Sequence, residues 1–343
     1  MKQQSGRRFL RQILSVLCLV PLLPAPVPLL PAPVSLDVRA QLPQRGALCL
    51  LWYNVENLFH PEDDSIAGDE EFTPHGPRHW TWTRYRNKLS AVAKVIVAAG
   101  RGEPPELVGL CEVENSLVLE DLCSHAVLQP YGYSYLHHDS PDHRGMDVAC
   151  LVRRERVRVL LWESIAFAPP LRQTRDMMHV ALPWEGDTLD LFLVHLLSKY
   201  RGAGATADLR RLQAEQLVRG MDSIGSGRKR GWIMALGDFN DSHWSYSMEP
   251  LRKARPGGDS LVLLLPAHGP GSYKYQGAWI PIDQVLVTHS FPAGLRVSAL
   301  LLDPLLTEDL EYGGVKPFRC YEGYVYRAGI SDHLPLLIDL HPR

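Results

Sequence analysis

Six short apolar runs in this chain each adjoin a polar cluster at one end, and that repeated switch constrains the fold more than any other feature. Leu50-Leu51-Trp52-Tyr53 leads into Asn54-Val55-Glu56-Asn57, and Leu107-Val108-Gly109-Leu110-Cys111 leads into Glu112-Val113-Glu114-Asn115. The alternating run from Leu189 to Val194 ends at His195, and the apolar stretch before Leu236 ends in Gly237-Asp238-Phe239-Asn240-Asp241. Ile280-Pro281-Ile282 brings Asp283 to the head of Gln284-Val285-Leu286-Val287, and Ser331-Asp332-His333 precedes the last apolar run. Runs of this length and composition read as buried strands. Asp238 and Asn240 are two residues apart, so in extended backbone they project together. Taken singly, each cluster is compatible with a turn or a structural histidine. As a set, Asn, Glu, His and Asp at the ends of successive buried strands do not arise readily by accident.

Strands are predicted at 48–54, 107–112, 147–152, 157–162, 177–182, 189–195, 232–238, 283–287 and 334–340, too many for one small sheet. Helical spacing of Leu89, Val92, Ala93, Ile96 and Val97 predicts a helix over Arg84 to Ala99, and Leu209 to Met221 is a second amphipathic segment. Period and spacing alone give an α/β or α+β protein of two layers or more, with mixed or antiparallel pairing where loops are short. The chain has 343 residues, with 45% hydrophobic and 22% charged, no internal repeat and no long linker, so residues 41–343 are expected to form a single catalytic domain.

Residues 1–40 read differently. Arg7, Arg8 and Arg11 precede the apolar run Ile13 to Leu23, and Val38-Arg39-Ala40 supplies small residues for cleavage, the pattern of a secretory signal peptide. Prolines between Pro21 and Pro33 oppose a stable membrane helix and leave the cleavage position open; an uncleaved anchor is the alternative. The expected location is therefore exported, periplasmic or extracellular. Loss of the leader removes Cys18 and leaves Cys49, Cys111, Cys123, Cys150 and Cys320, an odd number with no framework spacing. The 36 basic and 38 acidic residues become 31 and 37 once Lys2, Arg7, Arg8, Arg11, Arg39 and Asp37 are gone, a net charge of −6. That balance excludes tight nonspecific nucleic-acid binding through net charge, although a local patch such as Lys199 and Arg201 could still clamp phosphate.

The order of the motifs WYNVEN, CEVEN, LFLVHL, GDFND, IDQV and SDHLP resembles the endonuclease/exonuclease/phosphatase superfamily of metal-dependent phosphoesterases over roughly Leu48 to Leu340. The resemblance implies a four-layer α/β/β/α sandwich, two mixed, mostly antiparallel β-sheets face to face with helices outside. It also implies roles. Asn54, Glu112 and Asp332 would form the metal site, with Glu112 the principal carboxylate. Asp238 would orient or deprotonate the attacking water, Asn240 would hold a phosphate oxygen or that water, and His333, hydrogen-bonded to Asp283, would stabilise charge at phosphorus. His195 resembles the second histidine of pancreatic-type deoxyribonucleases and sphingomyelinases, and Asp147 falls where its acidic partner is expected. Gly145-Met146 stands where many members carry a phosphate-binding tyrosine.

The chemistry agrees with these residue types. Attack on an anionic phosphoester needs positioning and neutralisation of charge, and hard carboxylate ligands suit Mg²⁺, with Mn²⁺ as a substitute, better than zinc. The expected activity is hydrolysis of a phosphate ester by in-line water attack, most simply a nuclease acting on nucleic acid. Alternatives are a phosphatase or sphingomyelinase-like phosphodiesterase acting on lipid or inositol phosphates, and a catalytically silent binding protein of the same fold. No obligate protein partner is implied. The aromatic loop Phe72 to Trp82 and the segment Ser272 to Trp279 offer substrate surface, with Lys274 read as functional and Trp279 as structural.

Overall fold

The computed structural model describes residues 48–62, 68–100, 103–168, 171, 173–199, 202–229, 231–253, 261–264, 266, 271–291 and 294–342. The leader assigned to residues 1–40 and Arg201 lie outside the described residues. Twelve strands form two six-stranded sheets. They are β1 (Leu48–Leu58), β2 (Leu107–Val113), β3 (Tyr133–His137), β4 (Asp147–Arg153), β5 (Leu161–Ile165), β6 (Met177–Trp184), β7 (Asp187–His195), β8 (Trp232–Asp238), β9 (Leu261–Leu264), β10 (Asp283–Thr288), β11 (Leu295–Ala299) and β12 (Leu336–Leu340). The first sheet has the order β11-β12-β1-β2-β4-β3 and the second β5-β6-β7-β8-β10-β9. Within each sheet one pair is parallel, β1 with β2 and β7 with β8, and the others are antiparallel.

Alternation along the strands builds the layers. Leu48, Leu50 and Trp52 of β1 point into a core shared with Val180, Leu191, Leu193, Met234 and Leu236 of the second sheet. Their neighbours Leu51, Tyr53 and Val55 face the opposite way, onto helices α1 (Trp82–Ala99) and α2 (Ser116–Ser124). The outer face of the second sheet, including Phe192, Val194, Ile233 and Ala235, packs on α3 (Ala203–Gly225) through Ala214, Leu217 and Met221. The result is an α/β/β/α sandwich with buried strands on both faces, each large aliphatic side chain contributing about 1.5–3 kcal/mol. The helix starts are specified locally: Thr81 accepts the Arg84 amide ahead of α1, and Asn115 accepts the Val118 amide ahead of α2.

Two glycines let the layers close. Gly109 lies beside Trp52 in register, and a Cβ there would stand 2.8 Å from the indole. A Cβ on Gly237 would stand 2.1 Å from the Val194 carbonyl oxygen, so β8 comes this close to β7 only without a side chain. No helix among the described residues is long and apolar enough to cross a membrane.

Candidate active site

Both parallel pairs end at the same edge of the sandwich, and their antiparallel neighbours begin there. In the second sheet His195 pairs in register with Asp238, and Asp238 with Asp283, so three adjacent strand ends carry functional side chains. In the first sheet Asn54 pairs with Cys111 and the chain then bulges on both strands. Glu112 takes a left-handed backbone at φ 63°, and Glu56, Asn57 and Asn240 do likewise at φ 48°, 56° and 51°. Such bulges re-aim side chains, and strained residues of this kind concentrate at functional sites.

The two sheets are joined by polar contacts. The Asn54 amide nitrogen donates to Glu112 Oε1 and to Asp238 Oδ2, both at 3.0 Å, while its oxygen accepts the Glu56 amide at 2.9 Å. Asn54, expected in the metal site, faces the carboxylates with its nitrogen while its oxygen accepts the Glu56 amide, so it clamps the two acids together. The other Glu112 oxygen accepts the Asn57 amide at 2.8 Å. Burial raises the Glu112 carboxyl, but the Arg144 charge, the Asn54 hydrogen bond, His333 and Arg175 outweigh it and hold the group below its usual value. It stays ionised.

His333 is held from one side by Asp283 at 2.7 Å from its Nδ1, and Asp283 in turn accepts the Trp52 indole N–H at 2.8 Å from across the inter-sheet core. Its Nε2 lies 3.8 Å from Asp238 and 3.9 Å from Asp332. Burial favours the neutral ring, yet Asp283 and Asp238 overcome that and raise His333 well above the ordinary histidine value. His195 differs. Its Nε2 is 3.7 Å from Asp238, its Nδ1 is buried without a hydrogen-bond partner, and burial with the nearby charges of Arg175, His333 and Arg144 pushes it well below the ordinary value. The site therefore holds one histidine as the cation and one neutral. Between them Asp238 also accepts the Asn240 amide at 2.8 Å, and burial and Asp283 lift it to about 7 against the pull of His333. Asn240 reaches the Leu196 carbonyl with its side-chain nitrogen at 3.0 Å.

The remaining expected residues separate from this group or meet other partners. Asp332 borders it, bound by Arg319 at 3.0 Å. Asp147 does not pair with His195: one oxygen meets His137 Nε2 at 3.0 Å and the other accepts the Ser140 amide at 3.0 Å and its hydroxyl. Lys274 is not poised for substrate, because its ammonium contacts Asp309 at 2.7 Å and the Gly313 carbonyl at 2.8 Å. Lys199, half-exposed beyond His195, meets Asp241 at 2.7 Å. Met146 is buried in the outer core of the first sheet, and Trp80 of the aromatic loop is buried too, its indole donating to the Phe59 carbonyl.

Sequence reasoning missed four groups. Arg144 donates to Asn57 at 2.8 Å and Arg175 stands 3.5 Å from Asp142, both in loops with no motif to announce them. Tyr273 packs its ring 5.1 Å from that of His333. Glu56, inside the first motif, accepts the Cys320 and Tyr321 amides at 2.7 and 3.3 Å and is lifted to about 7 by burial and Asp332.

Two groups of described residues offer three ligand atoms within 4.8 Å of one another, His137 with Asp139 and Asp147, and Asp238 with Asp283 and His333. In the second, the His333–Asp283 hydrogen bond and the imidazolium state leave nitrogen a poor donor to a cation. Ionised Glu112 keeps lone pairs beyond its two hydrogen bonds, and oxygen donors of this kind fit a hard divalent ion.

A family model described as the Endonuclease/Exonuclease/phosphatase family matches residues 49–342. No curated protein matches the chain by sequence. Solved structures share the fold: sphingomyelinase C from Streptomyces griseocarneus has a TM-score of 0.57 at 18% identity, covering 86% of this chain and 99% of that one. Humanized D. rerio TDP2 gives 0.52 at 17% identity over 85% and 97%, and a mannosyl-6-phosphatase of Bacteroides thetaiotaomicron 0.52 at 15% over 85% and 98%.

Proposed function

The chain belongs to the endonuclease/exonuclease/phosphatase family, and we propose that it is a metal-dependent hydrolase that cleaves a phosphate ester by in-line attack of water at the Asp238–His333 edge of the sandwich. The observation that carries this reading is the single hydrogen-bonded chain Trp52–Asp283–His333, facing Asp238, which Asn54 links to Glu112. Glu112, with Asp332 beside the site, would hold Mg²⁺ or Mn²⁺, which supplies neutralisation of phosphoryl oxygens and a fixed orientation for them. Asp238, lifted to about 7, is poised to take the proton of the attacking water near neutral pH. Asn54 and the Asn240 amide fix its two oxygens for that task. His333 donates from Nε2 toward a phosphoryl or leaving oxygen, because Asp283 occupies Nδ1 and favours the cation. His195, neutral, turns its Nε2 toward Asp238 at 3.7 Å and there offers a second partner to a phosphoryl oxygen or the water.

The two histidines that flank Asp238, one of them resembling the second histidine of deoxyribonucleases and sphingomyelinases, fit a phosphodiesterase of either kind, and we take nucleic acid as the leading substrate. A lipid or inositol phosphate is the alternative. The experiment is cleavage of plasmid DNA, RNA, sphingomyelin and a generic phosphodiester with Mg²⁺, Mn²⁺ or EDTA, beside His333→Ala. EDTA-sensitive cleavage of nucleic acid, lost in the variant, supports the nuclease; cleavage confined to lipid selects the alternative; no turnover of any of these substrates contradicts both and points to a silent binding protein or to another phosphate ester. Export through a leader at residues 1–40 belongs to the same proposal, rests on the basic and apolar pattern there, and is tested by N-terminal sequencing of the protein recovered outside the cytoplasm.

A further inference from the structure

Glu56 is a buried carboxylate that takes no part in the chemistry above. It accepts the Cys320 and Tyr321 amides at 2.7 and 3.3 Å, which fastens the segment beginning at Arg319 to the end of β1. The same segment is held from its other side. The Phe318 carbonyl accepts the Ile330 and Ser331 amides at 2.7 and 3.2 Å, and a Cβ on Gly329 would stand 2.1 Å from that oxygen and 2.3 Å from the Arg319 carbonyl oxygen. The Arg319 backbone is therefore fixed, whereas its side chain is 39% exposed and lines a cavity of about 120 Å³ with Asp332 and Tyr273, the tyrosine that packs on His333.

The guanidinium has donors to spare. It carries five N–H groups. Among the described residues it makes one hydrogen bond, to Asp332 Oδ2 at 3.0 Å, and its Nε is buried without a hydrogen-bond partner, 3.9 Å from Glu56. The other Asp332 oxygen lies 3.9 Å from His333 Nε2, so the width of one carboxylate separates the guanidinium from the nitrogen that faces the phosphoryl group. Other cations nearby have partners outside the metal site: Arg144 donates to Asn57, Arg175 stands beside Asp142, and Lys274 meets Asp309 and the Gly313 carbonyl. Arg319 differs, because its partner Asp332 is also a carboxylate proposed to hold the divalent ion. Two cations on one carboxylate repel each other, and the doubly charged ion attracts it more strongly. A guanidinium displaced from Asp332 keeps its fixed backbone and its fork of donors, whose planar geometry matches phosphate oxygens.

We propose that Arg319 is a substrate-binding residue, held on Asp332 in the metal-free protein and released to a phosphoryl oxygen when a divalent cation takes that carboxylate. The proposal rests on the phosphoesterase reading above and concerns the phosphoryl group that every candidate substrate shares.

The test measures Mn²⁺ binding to the full-length protein by electron paramagnetic resonance without substrate, and calorimetric binding of inorganic phosphate with Mn²⁺ present. Wild type, Arg319→Gln, Arg319→Lys and Asp332→Asn are compared, with thermal melting of each. Loss of the competing cation should tighten Mn²⁺ binding in Arg319→Gln by about three- to tenfold, and the gain should vanish when Asp332→Asn is added. Phosphate binding should weaken about tenfold in Arg319→Gln, as loss of a hydrogen bond to a charged group implies, and Arg319→Lys should restore part of it. KM for bis(p-nitrophenyl) phosphate should rise by a similar factor with a smaller change in kcat. Mn²⁺ binding that is unchanged or weaker in Arg319→Gln, a gain that persists without Asp332, or unaltered phosphate binding overturns the assignment and leaves hydrolysis intact. If both bindings shift as expected and no phosphate ester is hydrolysed, Arg319 stands and the hydrolase reading falls. Absence of Mn²⁺ binding in the wild type overturns both.

Discussion

His333 depends on groups from three different parts of the chain: Asp283 at the head of β10, Trp52 in β1, and Asp238 at the end of β8. Replacing His333 by alanine is expected to cost about 10²–10⁴ in rate, and to lower the melting temperature because buried Asp283 and Asp238 lose their cation, checked by kinetics beside thermal melting. Asp283→Asn tests the electrostatics. Burial pulls the His333 value down and Asp283 and Asp238 push it up, so losing the Asp283 charge lowers it. The catalytic imidazolium then titrates earlier, and the basic limb of the pH–rate profile moves to lower pH; an unmoved limb contradicts the assignment. Trp52→Phe keeps the core filled while removing the indole hydrogen bond to Asp283. Activity should fall by roughly the 10–100-fold that loss of an orienting partner costs, read from kcat with the fold intact by circular dichroism. At this scale much was legible in the sequence, because Glu112, Asp238, Asn240, His195, Asp283 and His333 all adjoin apolar runs that place them. Asp147 was misplaced for a physical reason: its strand position follows from the pattern, but its partner, His137, comes from a strand whose mixed composition gives no apolar run.

The strands carry the site only while their spacing holds. Gly237→Ala would bring a methyl group against the Val194 carbonyl, so β8 must shift from β7 and displace Asp238 from His195; a loss of about 2 kcal/mol or more in denaturant unfolding, with activity lost alongside, is expected. Far from the site, Asp190 of β7 is fully buried, bonded to His179 at 2.8 Å and to Arg228 at 2.6 and 2.7 Å. Burial raises its carboxyl, but Arg228 and His179 prevail and lower it. Its folded value lies below the unfolded one, so its contribution is complete above about pH 4 and is lost as pH falls through the folded value. Asp190→Asn should flatten the acid limb of the stability curve, measured by urea unfolding between pH 2 and 7. The predicted strands match the long apolar ones, whereas β3, β9 and β11 and the nine-residue α2 were not predicted. They are short or half-polar, and Asn115, read as part of a site motif, serves as the cap of α2. The strand expected at 157–162 begins at Leu161 instead and runs to Ile165.

Across the whole molecule, one sheet built from the middle of the chain and one built from the strands before and after it meet at one edge, and each contributes acids that would repel if unmatched. Asn54, Arg144 and the His333–Asp283 pair make that meeting possible, and the divalent cation proposed on Glu112 would complete the balance of charge. The sandwich itself followed from family resemblance; periodicity gave only its strands, since face-to-face packing depends on which side chains interdigitate. The cations around the site came from loops whose course only the fold determines. The most direct test is the initial rate of bis(p-nitrophenyl) phosphate hydrolysis as free Mg²⁺ and then Mn²⁺ is raised from an EDTA-treated baseline, in the wild type and in Glu112→Gln. The account predicts a rate that rises with metal from near zero and saturates in the wild type, and that stays at least about 100-fold lower in the variant. A rate indifferent to EDTA, or a Glu112→Gln variant with the same metal dependence, would contradict it.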